Sequence, residues 1–467
     1  MQPPLDPKWG EGDLSFDAIN VLLSMYRLTK HNCLAILNLQ FGIAESGVFY
    51  MYIKRAIEET VLRISKTFPV LLVTGPRQVG KTTLLKHLSD DSRNYISLDD
   101  PDIRNIAKTD PSLFMQRYTP PILIDEIQYA PQILPYIKMS VDNSGNKGDF
   151  WLTGSQAFHM MKNVSESLAG RVGIVNLLGL SANEINAIPS EPFTTEPKRL
   201  MSRLKKAKKI GLNEIYEYIF KGAFPALYHN EPPELTEFYR SYISSYLQRD
   251  IKDLSQVADE TTFHNFMIVV AARTAKPVIY EELAREVGVS QPTAKKWLSI
   301  LVSSGIVALV QPYHNNVLKR AVKMPLLHFL DTGLCAYLLK WGSAETLERS
   351  AMSGAFFESW VFSEIYKSYF NAGKDAPVYY YRDKDKREID LLIYENGILC
   401  PVEIKKAASP GIQSIKHFTV LNSVTAPERL GMLGQYEIEI GDGAVICMAT
   451  DLIPANKKNW FVPTWLI

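Results

Sequence analysis

The sequence predicts an α/β protein with a parallel sheet first, then a helical region, then a second α/β region. Three observations predict it. The apolar run Val70-Leu71-Leu72-Val73 leads into Gly75-Pro76-Arg77-Gln78-Val79-Gly80-Lys81-Thr82, which opens a helical pattern through Leu84, Leu85 and Leu88. A second apolar run, Ile122-Leu123-Ile124, ends in Asp125-Glu126. Far downstream, two strand-like segments flank the turn pair Asn396-Gly397.

At 467 residues the chain is too long for one core. Its 51 basic and 50 acidic residues nearly cancel, so any nucleic-acid affinity must come from local patches. No apolar run reaches membrane-span length, and no basic segment followed by an apolar stretch opens the chain. Cys33, Cys335, Cys400 and Cys447 lack metal-ligand spacing and read as buried thiols. The expectation is a soluble cytoplasmic protein with no membrane partner.

Residues 1–50 start irregularly, with Pro3, Pro4 and Pro7, and Asp17 to Arg27 predicts a short helix. Met51 precedes an amphipathic helix expected from Ile53 to Thr67, with Ile57, Val61 and Ile64 on one face. Residues 1–50 are therefore expected to be a dispensable extension set by choice of start site.

Strand, glycine loop and helix form the context of a phosphate-binding P-loop. Gly75 and Gly80 let the backbone wrap phosphates with its amides inward. The helix N-terminus adds its positive dipole end. Lys81 can reach the β- and γ-phosphates, and Thr82 can ligate Mg²⁺. Pro76, Arg77, Gln78, Val79 and Thr83 complete the expected ATP-binding set. Tyr95 to Leu98 is a short strand. Asp125 ends a buried parallel strand, at the edge where open α/β sheets bind ligands, and is placed to hold Mg²⁺. Glu126 is placed to orient and deprotonate water. A third strand, Phe150 to Thr153, runs into Gly154-Ser155. Thr153 and Ser155 are candidates to sense the γ-phosphate, and turn chemistry explains them equally well. Arg171 precedes Ile174-Val175; it is either an arginine finger, in cis or from a neighbouring subunit, or a surface arginine.

Four segments together carry a resemblance: the glycine loop, Leu123-Ile124-Asp125-Glu126-Ile127-Gln128, Leu152-Thr153-Gly154-Ser155 and Leu168-Ala169-Gly170-Arg171. The chain resembles prokaryotic AAA-type ATPases that carry a C-terminal domain of unknown function related to PD-(D/E)xK nucleases. The similarity spans about Met51 to Ser409. It implies a P-loop NTPase domain, ATP and Mg²⁺ as cofactors, Walker roles for Lys81, Thr82, Asp125 and Glu126, and Arg171 as the finger or sensor candidate.

Pro189 to Ile210 changes composition sharply, with Lys198, Arg199, Arg203, Lys205, Lys206, Lys208 and Lys209. Such a run contacts phosphates or forms a solvated face. Residues 213–272 read as helices broken at Gly222 to Pro225, with Tyr242, Tyr246 and Leu247 as core. Tyr280 to Val287, a turn capped by Ser290, and Gln291 to Ser303 resemble helix-turn-helix; strands Ile306 to Val310 and Val317 to Val322 would complete a winged helix. Lys295 and Lys296 then face a DNA groove, or the module merely packs.

The Asn396-Gly397 turn fixes a register in which Glu395 faces Ile398, Asp390 faces Glu403, and Glu388 faces Lys405. Facing carboxylates repel unless neutralised, which a divalent metal would do. Lys405 could steady hydroxide or phosphate, and Glu358, on the preceding helix, could complete the site. The arrangement resembles the PD-(D/E)xK core, with Asp390, Glu403 and Lys405 matching its motif. The bland alternative is a surface hairpin with a Glu388–Lys405 ion pair. Pro401 predicts an edge or bulge.

The expected organisation is an extension (1–50), an AAA-type P-loop domain (51–190), a basic linker (191–212), a helical and winged-helix region (213–345) and a restriction-endonuclease-like α/β domain (346–467). The expected function is Mg²⁺-dependent ATP hydrolysis coupled to action on nucleic acid. The alternative is a nucleotide-dependent switch for a protein partner, with an inactive nuclease-like domain; oligomers are compatible with either.

Overall fold

The leucine- and valine-rich runs bury on both faces because they become central strands of a parallel sheet. The protein is described from a computed structural model, which describes residues 41–43, 49–154, 164, 166–247, 260–314, 324–385, 387–424 and 438–467. Residues 1–52 form a unit of their own, within which β1 (Phe41–Ile43) and β2 (Phe49–Met51) pair antiparallel. The Asp17 to Arg27 helix lies outside the described residues.

The second unit begins at Ile53. Its first helix, α1 (Glu58–Thr67), starts later than expected. Arg55 turns into the interior, and its amide donates to Glu58 Oε1 at 2.8 Å, so the preceding residues stay non-helical. Ile57 and Val61 are buried as the periodicity requires. Then come β3 (Val70–Thr74), α2 (Lys81–Leu88), β4 (Asn94–Ser97), β5 (Ile122–Asp125), β6 (Phe150–Thr153) and β7 (Val172–Asn176). The strands lie in the order β4-β5-β6-β3-β7, all parallel. Helices Pro101–Thr109, Pro111–Arg117 and Leu134–Ser144 cover one face and bury Phe114, Ile137 and Val141 against Leu72, Ile124 and Leu152.

Beyond β7 lie α3 (Ala182–Ile185) and α4 (Pro197–Leu204), the latter carrying part of the basic run. The run is not free of the fold: Arg203 donates to the carbonyls of Leu466 and Pro192, and Lys208 pairs with Glu214 at 2.8 Å. The middle region contains α5 (Leu212–Lys221), α6 (Leu235–Tyr246) and α7 (Glu260–Ala271). Tyr239, Tyr242 and Tyr246 are buried, so the aromatic stripe is core. β8 (Lys276–Pro277), α8 (Tyr280–Val287), α9 (Gln291–Ser303) and β9 (Val307–Pro312) follow. The Ser290 side chain caps α9, and Lys295 and Lys296 are exposed on it. The expected wing strand Val317 to Val322 lies outside the described residues. β9 pairs with β10 (Leu326–Phe329), which in turn pairs with β8.

The long helix α10 (Ser353–Asn371) precedes β11 (Val378–Arg382), β12 (Glu388–Glu395), β13 (Ile398–Lys405), β14 (Glu439–Ile440), β15 (Gly443–Cys447), β16 (Ile453–Pro454) and β17 (Asn459–Pro463). Among the described residues these strands join β8, β9 and β10 in one sheet, β16-β17-β15-β13-β12-β11-β9-β10-β8, with β14 beside β13. β11 pairs in parallel with β9, so the sheet runs continuously across residues 345 and 346. The β12–β13 register is the one the turn dictates, from Glu395 opposite Ile398 to Leu391 opposite Val402. Pro401 marks no edge. It falls where β13 passes from its ladder with β14, at Ile398 and Leu399, to its ladder with β15, which begins at Val402. There the missing amide breaks no pairing.

Candidate functional site

Two clusters of polar side chains stand out. The first lies at the C-terminal edge of the parallel sheet. Gly75 has φ +144°, and a Cβ there would meet the Leu177 carbonyl oxygen at 2.0 Å; Gly80 has φ +92°. Both positions therefore require glycine. The loop brings Lys81 back over its own backbone, where Nζ donates to the Gly75 and Pro76 carbonyls at 3.0 and 2.8 Å. Pro76 and Val79 are buried, Gln78 and Thr83 are exposed, and Arg77 is half-buried.

Asp125 is the hub of the cluster. Its Oδ1 accepts from the Thr82 hydroxyl at 2.8 Å and from the Thr153 hydroxyl, and its Oδ2 accepts from the Tyr95 hydroxyl at 3.1 Å. Burial and the neighbouring Asp125 charge push the Tyr95 hydroxyl up to about 12. Thr153 Oγ1 also accepts from the Glu126 amide at 3.1 Å. Thr153 is fully buried and braces the two acids. Ser155 lies outside the described residues. Glu126 sits at φ +57°, a left-handed conformation that costs a non-glycine residue and turns its carboxylate out of line with the strand. Burial raises its carboxyl above the ordinary range, against a hydrogen bond from Gln128 and the charge of Lys81. The Thr82 hydroxyl beside the Asp125 carboxylate is an oxygen donor set suited to Mg²⁺.

Arg171 does not join this cluster. Its carbonyl accepts from the Val70 amide at the start of β3, so it lies at the opposite edge of the sheet from the glycine loop. Its guanidinium forks onto Asp142 at 2.5 and 3.0 Å. The expectation of a finger acting in cis is corrected: Arg171 immediately precedes a strand parallel to β3, and such a residue begins at the wrong end. Tyr95 went unnoticed because only the β4–β5 pairing brings it to Asp125. Arg55 also went unnoticed. It donates to Val79 O, Leu178 O and Glu184 Oε1, and no local pattern marks a partner 129 residues away.

The second cluster lies where β12 and β13 part. Past Leu391 and Val402 the ladder stops, and Asp390 Oδ2 accepts the Ile404 amide at 2.7 Å. Lys405 Nζ lies 2.6 Å from Glu403 Oε1 and 3.6 Å from Asp390 Oδ2. The charge expected to repel across the strands is thus bridged by Lys405. The alternative Glu388–Lys405 pair is not what forms: Glu388 faces Arg382 at 3.9 Å. Burial, then Asp390, push the Glu403 carboxyl up to about 7, against Lys405. Burial raises Asp390 against the same lysine, and burial with the Asp390 charge drives Glu358 well up. His417, missed in the sequence, holds its Nδ1 3.0 Å from the Glu388 carbonyl oxygen beside this group. Glu403 Oε2 is buried without a hydrogen-bond partner among the described residues, an acceptor a cation would satisfy. No group of three or more Asp, Glu, His or Cys among the described residues is arranged to hold a metal ion, so the expected set of Glu358, Asp390 and Glu403 does not form one.

Comparison with known proteins finds three family models along the chain. Residues 67–186 match a family model described as "AAA domain", residues 212–345 one described as "Domain of unknown function (DUF8612)", and residues 353–467 one described as "Domain of unknown function (DUF4143)". Two uncharacterized proteins, from Mycobacterium tuberculosis and Mycobacterium bovis, are each 26% identical over 392 residues, covering 84% of this chain and 82% of the relative. Among solved structures, the Walker-type ATPase PABY2304 of Pyrococcus abyssi is 13% identical, covers 62% of this chain and 96% of its own, and has a TM-score of 0.38. RuvB of Thermotoga maritima is 18% identical, covers 54% and 85%, and has a TM-score of 0.25.

The chain thus contains an AAA-type P-loop ATPase domain, a class that binds ATP, on a parallel sheet. It is followed by helical and mixed-sheet regions, the last of them a domain of unknown function. No helix among the described residues is long and apolar enough to cross a membrane.

Proposed function

We propose that the chain hydrolyses Mg²⁺-bound ATP and uses the nucleotide state to control cleavage of nucleic acid by its C-terminal region. In the first cluster the amides from Gly75 to Thr83 would cradle the phosphates, and Lys81 would swing from its backbone carbonyls to the β- and γ-oxygens. Thr82 and Asp125 would hold Mg²⁺, which screens charge on those oxygens. Glu126 would accept the proton of the attacking water, and a carboxyl raised by burial suits a base. Arg171 has no part within one chain; a role toward a neighbouring copy is what is left of that expectation.

One observation carries the second half: Asp390, Glu403 and Lys405 meet where two strands part, with a buried Glu403 oxygen unpartnered among the described residues. Asp390 and Glu403 would hold a divalent cation, which supplies Lewis-acid polarisation of a phosphodiester. Lys405 would steady the phosphate under attack, and Glu358 would add charge behind the pair. Lys295 and Lys296, exposed on α9, would meet backbone phosphates. The rival reading, a protein-interaction switch, draws on Lys405 already neutralising the acids without metal. Cleavage of plasmid and single-stranded substrates with Mg²⁺ or Mn²⁺, lost in Asp390→Asn, supports the first reading. Intact ATP turnover with no cleavage under any condition supports the second.

A further inference from the structure

Arg55 lies outside the glycine loop, yet its buried guanidinium touches three separate segments around it. Nη1 donates to Val79 O at 2.8 Å, Nη2 to Leu178 O at 2.7 Å, and Nε to Glu184 Oε1 at 2.9 Å. Glu184 is held in turn by the amides of Ala56 and Ser181, at 2.9 and 2.7 Å. Arg55 is 4% exposed and Glu184 is 5% exposed. A buried ion pair is weak evidence for stability, because an apolar pair of similar volume does as well. What an apolar pair cannot do is fix the direction of two backbone carbonyls.

Val79 is the residue before Gly80, whose φ of +92° is one that glycine adopts readily. A carbonyl turned toward Arg55 sends the amide of the same peptide the other way. The Leu178 carbonyl belongs to the segment against which Gly75 packs at the other end of the loop. One guanidinium therefore ties both flanks of the loop to each other.

We infer that Arg55 is a positioning residue of the nucleotide site, acting through the Val79 and Leu178 carbonyls to hold the loop amides toward the phosphates. This rests on the P-loop reading above. The β-phosphate is common to ADP and ATP, so the effect belongs to ground-state binding of both. Arg55→Met should weaken ADP and ATP binding by a common factor of about 10 or more, the scale of a lost charged hydrogen bond. It should leave kcat at saturation within about threefold, because uniform binding energy appears in KM. Arg55→Lys, which can still reach one carbonyl, should recover part of the affinity.

The experiment is calorimetric titration of the full chain with ADP, and with ATP in parallel, alongside ATP turnover. Wild type and Lys81→Ala come first. If wild type binds no nucleotide, the P-loop reading fails and this inference with it. If wild type binds, Arg55→Met and Arg55→Met/Glu184→Gln are compared, the second removing both buried charges so that folding is spared an unpaired carboxylate. A shared fall in ADP and ATP affinity with kcat retained, partly rescued in Arg55→Lys, supports positioning. ADP affinity within twofold of wild type in either methionine variant overturns it. So does a loss of kcat without a loss of affinity.

Discussion

Lys367→Met removes a cation from the contact between α10 and the nucleotide domain. Lys367 Nζ donates to Leu180 O at 2.9 Å and to Glu364 Oε1 at 2.8 Å, and Glu364 Oε2 accepts the Ala182 amide at 2.8 Å. The two side chains are only 3% and 6% exposed, so neither is screened by solvent. The single substitution leaves the Glu364 charge buried and the Leu180 carbonyl unpaired. Breaking a buried pair from one side costs about 3–5 kcal/mol. Lys367→Met/Glu364→Gln keeps an acceptor for the Ala182 amide and removes the charge, so most of that loss should return, to within about 1 kcal/mol of wild type. Urea melts of wild type, both singles and the double close a mutant cycle. A Lys367→Met loss below about 1 kcal/mol, or a double variant no better than the single, would refute the reasoning.

Three further outcomes are expected. Asp125→Asn keeps an acceptor for Thr82 and Thr153, so its melting should stay close to wild type. The gain in ATP affinity that Mg²⁺ gives should vanish in it, and turnover should fall about 100-fold or more; unchanged Mg²⁺ dependence would argue against the assignment. Gly75→Ala forces a Cβ to 2.0 Å from the Leu177 carbonyl oxygen, and the loop must shift. Nucleotide binding in titration should be lost while far-UV circular dichroism is kept. Burial lowers His328 from 6.5 to about 3, so it stays neutral in the fold while the unfolded chain protonates. Its contribution to stability is therefore full above pH 6.5 and falls by about 1.4 kcal/mol per unit as pH drops toward 4, while the raised Glu403 carboxyl contributes the opposite slope. Against wild type, proton uptake on unfolding between pH 6.5 and 4 should be smaller by one in His328→Asn, read from urea melts across that range.

What was legible in the sequence was local. The glycine loop, the acids ending β5 and the turn at Asn396-Gly397 each fix geometry within a few residues, and the β12–β13 register follows from counting outward from the turn. What was not legible depends on which strands become neighbours. Tyr95 meets Asp125 only because β4 lies beside β5, and Arg55 meets Glu184 across the whole domain. The β11–β9 pairing, which fuses the middle region to the last, leaves no periodic trace in either segment. Arg171 shows the converse: its place just before a parallel strand already put it at the far edge of the sheet.

In the proposed reading the C-terminal cluster acts on nucleic acid under control of the nucleotide site. The most direct measurement is metal-dependent cleavage of DNA and RNA by the full chain, with and without ATP, for wild type, Asp390→Asn and Lys81→Ala. Wild type should cleave, Asp390→Asn should not, and Lys81→Ala should cleave without responding to ATP. Cleavage unchanged in Asp390→Asn, or its absence while ATP turnover is intact, would rule that reading out.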